Sequence, residues 1–339
     1  MKIRGAISGF GEVAALAHLP GWRTRANVTM GVIHEPIAAR REEAFRLIKN
    51  VRVYDDLALM LDGERPDFVD VASPPAMHFA AARAAIEAGA HVLVEKPMCL
   101  TLEEFAELTA RAEARRRVLM CVHNWKFAPA YAAAHAAIVA GKVGIVRSIL
   151  IERLRTGPAG AGGSGARWRA SAQSGGGILI DHGWHVFYLM QWLAGGVAPE
   201  TVSARMETPA GENVDHAADV TVGFRGGCEA QAKLSWRAPY RRTAAVIHGT
   251  DGSIEIDGDR VSLKTRGSES EDLSVADIPD DSYHSAWFSG VAELFERSIL
   301  QGSDSVGAKT NLAEARASLG LIVGARRSSV AGGAELKVP

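Results

Sequence analysis

Three short stretches hold residues whose types and spacing suit chemistry. Gly9-Phe10-Gly11-Glu12-Val13-Ala14 follows one β-branched run, Glu95-Lys96-Pro97 follows another, and Asp181 and His185 stand four apart in an apolar stretch. In the first, Gly9 permits a tight turn, Gly11 lets a pyrophosphate approach the backbone, and the small Ala14 allows close packing of helix on strand. The N-terminus of that helix offers unpaired N–H groups and partial positive charge to phosphates. Glu35 lies about 20 residues on, at the end of the next strand, where a carboxylate accepts hydrogen bonds from a ribose diol and repels a 2′-phosphate. That favours NAD over NADP, and Arg40 and Arg41 nearby pull the other way. Oxidation of an alcohol with such a cofactor needs a proton acceptor near pKa 7, for which the His185 imidazole is suited. On a helix, Asp181 would share its face and orient the ring. The Lys96 ammonium would hydrogen-bond the reacting oxygen. The roles of Lys96 and His185 are exchangeable at this level.

The elements that must position these residues follow from the pattern. Short β-branched runs at 2–8, 27–34, 67–72, 91–94 and 118–122 alternate with helical spacing at 13–19, 37–49, 78–88 and 102–115. Such alternation predicts a parallel, doubly wound sheet, a Rossmann domain over 1–122. Ser73-Pro74-Pro75 with His78, and Glu95-Lys96-Pro97, then fall at carboxyl ends of strands, where open α/β sheets bind ligands. From 123 to 339 a second, α+β domain is expected, with strands at 201–206, 219–224, 229–236, 244–249, 253–256 and 260–264 joined by tight turns into a large antiparallel open sheet. Helices are expected at 131–140, 178–193, 285–301 and 311–331. The glycine-rich stretch 157–177 is a candidate mobile lid.

Composition narrows the partners. The chain has 339 residues, 38 Lys+Arg against 39 Asp+Glu, and a formal net charge of −1, so no basic excess exists to hold a nucleic acid. Three widely spaced cysteines (Cys99, Cys121, Cys228) exclude a disulfide framework and suit a reducing cytoplasm. No apolar run of about 18 residues predicts a membrane span. Asp181, His182 and His185 have spacing compatible with zinc, but no further His or Cys lies near and hydride transfer needs no metal, so none is expected.

Taken in order, the glycine loop, Ser73-Pro74-Pro75…His78, the stretch ending Glu95-Lys96-Pro97, Asn124-Trp125-Lys126-Phe127, Trp168-Arg169 before Gly175-Gly176-Gly177, Asp181…His185 and Gly249-Thr250-Asp251-Gly252 resemble the glucose–fructose oxidoreductase / inositol dehydrogenase / MocA family. The resemblance implies an active site between the two domains and oxidation or reduction at a hydroxyl or keto carbon of a sugar, cyclitol or related polyol. It maps Lys96, Asp181 and His185 to catalysis. It maps Gly9, Phe10, Gly11, Glu12, Val13, Glu35, Ser73, Pro74, His78, Glu95, Lys96, Pro97, Asn124, Trp168 and Arg169 to the cofactor. Relatives often have a cis bond before the proline of the Glu-Lys-Pro motif. Departures fall on the polyol pocket: Tyr188 where relatives often carry aspartate, His182 at a usually small or apolar position, and Trp125-Lys126. Lys96, Trp125, Lys126, His182, His185 and His284 are the expected substrate residues. A homodimer or homotetramer through the C-terminal sheet is expected, because apolar residues on its outward face would need burial. NAD-assisted glycoside cleavage and a non-catalytic NAD-binding sensor are the rival functions.

Overall fold

The computed structural model describes residues 2–159, 168–277 and 283–339. The chain divides into two compact units, 1–127 with 278–315 and 128–277 with 316–339. A single cut after residue 122 therefore misses a late segment that returns to the first unit. Part of the expected lid, 160–167, lies outside the described residues. Among those residues no helix is long and apolar enough to cross a membrane.

The first unit is built on β1 (Ile3–Ser8), β2 (Val28–His34), β3 (Arg52–Tyr54), β4 (Phe68–Val71), β5 (His91–Val94) and β6 (Leu119–Cys121). Their order is β3-β2-β1-β4-β5-β6, parallel throughout. All four residues of β4 are buried, which explains its continuous apolar reading broken only by Asp70. The helices α1 (Leu19–Arg23), α2 (Ala38–Leu47), α3 (Leu57–Glu64), α4 (Pro75–Glu87) and α5 (Leu102–Ala114) intervene. Helix α5 opens on a capping box: the Thr101 side chain accepts from the Glu104 N–H, and Glu104 accepts from the Thr101 N–H. β3 and α3 escaped the sequence reading: the strand has three residues and is half polar.

One face of this sheet carries Ile3, Phe68, Leu93 and Met120, covered by Trp22 of α1 and by Phe288, Val291 and Phe295. The last three lie on α8 (Ser285–Gln301), so the late segment completes the core of the first unit. The Asn311 amide caps the β6 edge, accepting from the Cys121 N–H at 2.7 Å and donating to its carbonyl at 2.9 Å.

In the second unit α6 (Pro129–Val139) and β7 (Val146–Leu154) lead to α7 (Trp184–Leu193). There follow β8 (Pro199–Glu207), β9 (Ala217–Phe224), β10 (Glu229–Ser235), β11 (Arg242–Gly249), β12 (Gly252–Asp257), β13 (Arg260–Thr265) and β14 (Glu271–Asp272). Helix α9 (Val306–Val330), which runs from the first unit into the second, and β15 (Leu336–Lys337) end the chain. The sheet order is β14-β13-β12-β11-β7-β10-β9-β8-β15. Only β7 and β10 pair in parallel. Ile149, Ile151, Ala230, Ala232, Leu234, Ile247 and Ile254 are buried on one face. The outward positions include Glu229, Gln231, Lys233, Asp219, Arg205 and Glu255 around Leu150, Leu154 and Val246. That face is mainly polar, which corrects the expectation of an apolar one.

Candidate functional site

In the first unit the strand order reverses between β1 and β4, and the turns after these strands are packed together. Gly9 has φ +91°, and a Cβ there would lie 2.6 Å from the Ser73 Cα. No other residue type suits both demands. A Cβ on Gly11 would meet only the Arg40 guanidinium, at 3.5 Å. Phe10 and Ala14 are buried in the core beneath, whereas Glu12 and Val13 are exposed. The helix after the loop starts with a π turn, Ala14–His18, before α1. The Tyr283 hydroxyl donates to the Glu12 carboxylate at 2.8 Å, so the late segment also touches the glycine loop.

Glu35 is buried, and both its oxygens are in use. Oε2 accepts from the Phe10 N–H at 2.7 Å and Oε1 from the Ile37 N–H at 2.9 Å. Its first task is to brace the glycine turn, and each oxygen keeps a lone pair for a ribose hydroxyl. Arg41 donates to the carbonyls of Glu35 and Pro36. Arg40, 3.9 Å from Glu35, is the basic group that lies against Gly11.

Two buried polar atoms at the carboxyl edge, Ser73 Oγ and Asn124 Oδ1, find no hydrogen-bond partner among the described residues. Burying such atoms unpaired is costly. A dinucleotide, with its ribose hydroxyls and carboxamide, is rich in the missing donors and acceptors. The residues present therefore fit the cofactor that the glycine turn suggested.

Around Lys96 the backbone is fixed from two sides. The Lys96–Pro97 peptide is cis. The Glu95 carboxylate accepts from the Lys96 N–H at 2.9 Å. The His78 ring lies between the Pro97 carbonyl (2.6 Å) and the Ser73 carbonyl (2.7 Å), tying the Ser-Pro-Pro turn to the lysine turn. Burial pushes the His78 pKa down, and the two carbonyls, which can only accept, act against it. Pro74 precedes α4 as its N-cap, and Pro75 takes the first helical position.

Asn124, Trp125 and Lys126 form a 3-10 turn after β6. Trp125 is buried. The Lys126 ammonium lies 2.6 Å from the Glu314 carboxylate, which also stands 3.2 Å from His123. These groups line one end of a cavity of about 200 Å³ whose other walls include Met120 and Leu294. His284 takes the left-handed conformation (φ 54°) at the N-cap of α8 and stacks on Trp287, with ring centroids 3.6 Å apart.

In the second unit, Leu179–Gly183 is again a π turn, continued by α7. Asp181, His182 and His185 are buried. The Arg169 Nε donates to Asp181 Oδ2 at 2.9 Å, and the Arg169 guanidinium stacks on the Trp168 ring at 4.4 Å. His182 Nε2 is 3.8 Å from the same carboxylate. His185 Nδ1 is taken by the Tyr188 hydroxyl at 2.9 Å. The regular helix expected over 178–193 thus begins as a π turn over Leu179–Gly183. The Gly177 N–H donates to the Arg169 carbonyl at 3.0 Å. A Cβ on Gly177 would strike the Asp215 carboxylate, which accepts from the Leu179 N–H and so holds the start of the turn.

The sequence reading missed Tyr188 as a partner of His185, and it gave His18 no part in the site. His18 is buried among carboxylates, Asp70 and Glu95. The signal available was Asp70 itself, an acid inside a fully buried strand, which demands a partner.

Residues 3–123 match the profile described as the oxidoreductase family, NAD-binding Rossmann fold, of the GFO/IDH/MocA group. Residues 131–255 match its GFO/IDH/MocA C-terminal domain. The chain belongs to the GFO/IDH/MocA family of oxidoreductases. Its first unit is an NAD-binding Rossmann domain. Among relatives, the D-glucoside 3-dehydrogenase of Escherichia coli is 30% identical over 202 residues, 60% of this chain and 57% of that protein. The scyllo-inositol 2-dehydrogenase (NADP(+)) of Bacillus subtilis is 25% identical over 281 residues, 82% of this chain and 76% of that protein. The aligned stretch spans just over half of relatives such as the first, 57% here and 54% for an uncharacterised oxidoreductase of Synechocystis. The crystal structure of GenD2 from gentamicin A biosynthesis, in complex with NAD, superposes with a TM-score of 0.84 at 24% identity. That match covers 100% of this chain and 97% of the other, and establishes the fold.

Proposed function

We propose that this member of the family is an NAD(P)-dependent oxidoreductase acting on a CH–OH or keto carbon of a sugar, cyclitol or related polyol, with NAD preferred. The observation that carries it is the carboxyl edge of the first unit. There a glycine turn that accepts only glycine, orphaned buried polar atoms at Ser73 and Asn124, and a backbone-anchored Lys96 occur together. The dehydrogenases among the relatives support the substrate class. NAD, when bound, supplies the hydride acceptor.

On this reading the chain's own groups have distinct tasks. Glu35 braces the turn and keeps acceptor capacity for a ribose diol. Lys96 hydrogen-bonds the reacting oxygen and holds the negative charge that develops on it. His185, its Nδ1 engaged by Tyr188, turns Nε2 to proton exchange. Asp181, fixed by Arg169, keeps a negative charge near the imidazole.

The test is a panel of polyols and sugars incubated with the dialysed protein and NAD. Absorbance rising at the NADH band supports the proposal. Aglycone release without that rise would place the chain with NAD-assisted glycosidases, and cofactor binding with neither would leave a sensor. Lys96→Ala and His185→Ala should each cut turnover by about 100-fold with NAD affinity retained.

A further inference from the structure

The first unit contains a charged network with no task in the chemistry above. His18 closes the π turn that follows the glycine loop, and it is 1% exposed. Its Nδ1 lies 2.9 Å from Asp70 Oδ2, and its Nε2 lies 3.1 Å from Glu95 Oε1. A carboxylate can only accept, so both ring nitrogens must carry protons and the ring is an imidazolium. The Phe288 ring stacks on it at 3.9 Å, excluding water from that face. Asp70 takes a further hydrogen bond from the Trp22 indole at 2.7 Å. The other oxygen of Glu95 accepts the Lys96 N–H at 2.9 Å. The π turn matters here, because the extra residue in the turn sets where a side chain one turn beyond the loop points.

We propose that His18 is a positioning residue for the reaction of Lys96: clamped by Asp70 on one side, its imidazolium pins Glu95, and Glu95 pins the backbone from which the lysine side chain springs. The proposal rests on the role given to Lys96 above. It explains why so buried a site spends two carboxylates on one cation. Without the imidazolium, Asp70 and Glu95 would be two buried negative charges, and Glu95 would turn to the nearest cation. The charged and titratable groups facing Glu95 are His18, Lys96, His78, Cys121 and His123, and its carboxyl is held below the usual carboxylate range. Burial alone would raise that value, and the His18 contact overcomes it.

The consequence is specific. His18 sits beneath the glycine loop, yet its loss should act on turnover more than on cofactor affinity. His18→Gln, Glu95→Gln and the double variant would be compared in the full-length protein. Three quantities are read: kcat with the best substrate of the panel, the NAD dissociation constant by fluorescence, and the pH titration of the Lys96 Cε resonance. The resonance comes from protein labelled at lysine and is assigned with Lys96→Arg. Each single variant should lower kcat by about 10- to 100-fold, and His18→Gln should keep NAD affinity within about twofold. The double variant should fall no further than the worse single one, since both break the same link. The Lys96 Cε resonance should move in all three. Glu95→Gln cuts the link at its outer end, so it decides the matter if His18→Gln does not fold. Unchanged kcat and an unmoved Lys96 resonance in a folded variant would overturn the proposal. Full turnover in Lys96→Met would overturn the functional reading instead, and the Lys96 resonance would then still show whether His18 governs the lysine.

Discussion

The Tyr188 hydroxyl stands 2.9 Å from His185 Nδ1, one turn further along the same helix. It occupies a place where an aspartate was expected by resemblance. A phenol offers the ring a hydrogen bond without a full negative charge, so the imidazole is oriented but its protonated form gains less than beside a carboxylate. Tyr188→Phe should therefore lower kcat by about 10-fold and leave NAD affinity unchanged. Tyr188→Asp should move the acidic limb of the kcat profile to higher pH, because a neighbouring carboxylate stabilises the imidazolium. Initial rates from pH 5 to 10 check both, and a Tyr188→Phe enzyme with wild-type rates would show that the contact has no kinetic role.

Cofactor choice turns on two residues that face the same loop. Glu35 spends its oxygens on the Phe10 and Ile37 N–H groups, whereas Arg40 lies beside Gly11. Glu35→Ser removes a brace and a negative charge together, so it should relax the preference against NADP by about 10-fold and also weaken NAD binding, at a cost of about 1 kcal/mol or more. Arg40→Ala should act in the opposite sense, reducing NADP affinity more than NAD affinity. Dissociation constants for both nucleotides, measured by fluorescence on the three proteins, give the ratios directly. Unchanged ratios in both variants would remove these side chains from the ribose site.

The parallel sheet was legible because its strands are buried on both faces and read as continuous apolar runs, and the second sheet because its strands alternate. The glycine loop was legible because a turn that must admit a phosphate has few solutions. Less was legible where the contact is long in sequence and polar. A late helix was legible over 285–301, but nothing local says that its Phe288 and Phe295 close the first unit. Lys126 read as a substrate residue, but its ammonium is set against Glu314, 188 residues away. Asp181 and His185 read as lying on a regular helix, and the π turn at its start leaves no signature in residue types.

The Lys126–Glu314 contact has its own consequence. Glu314 is buried, and although burial alone would raise its carboxyl pKa, His123 and Lys126 hold it below the usual carboxylate range. A depressed folded-state pKa contributes stability that is present above the unfolded value and lost as pH falls through the folded one. Glu314→Gln should lower unfolding free energy at pH 7 by about 3 kcal/mol, because it leaves the half-buried Lys126 uncompensated. As pH falls through that lowered folded-state value the wild-type carboxyl becomes neutral, and the two proteins should converge. Urea titrations at pH 7 and pH 3.5 measure the difference, and a gap that persists undiminished in acid would assign the loss to packing.

His18 carries the opposite sign. Burial pulls its pKa down, but Asp70 and Glu95 together outweigh that effect and raise it from 6.5 to about 9. The folded protein therefore holds a proton that the unfolded chain releases near 6.5. The stabilisation is fully present below about pH 6.5 and drains away as pH rises through about 9, at up to about 1.4 kcal/mol per pH unit and roughly 3 kcal/mol in all. His18→Gln has no such proton. The wild-type advantage over it should be largest at pH 6, shrink through pH 8 and level off above pH 9.5. Denaturation midpoints of the two proteins at these values decide it. A difference that stays constant with pH would mean that folding draws no extra proton onto the cluster of His18, Asp70 and Glu95.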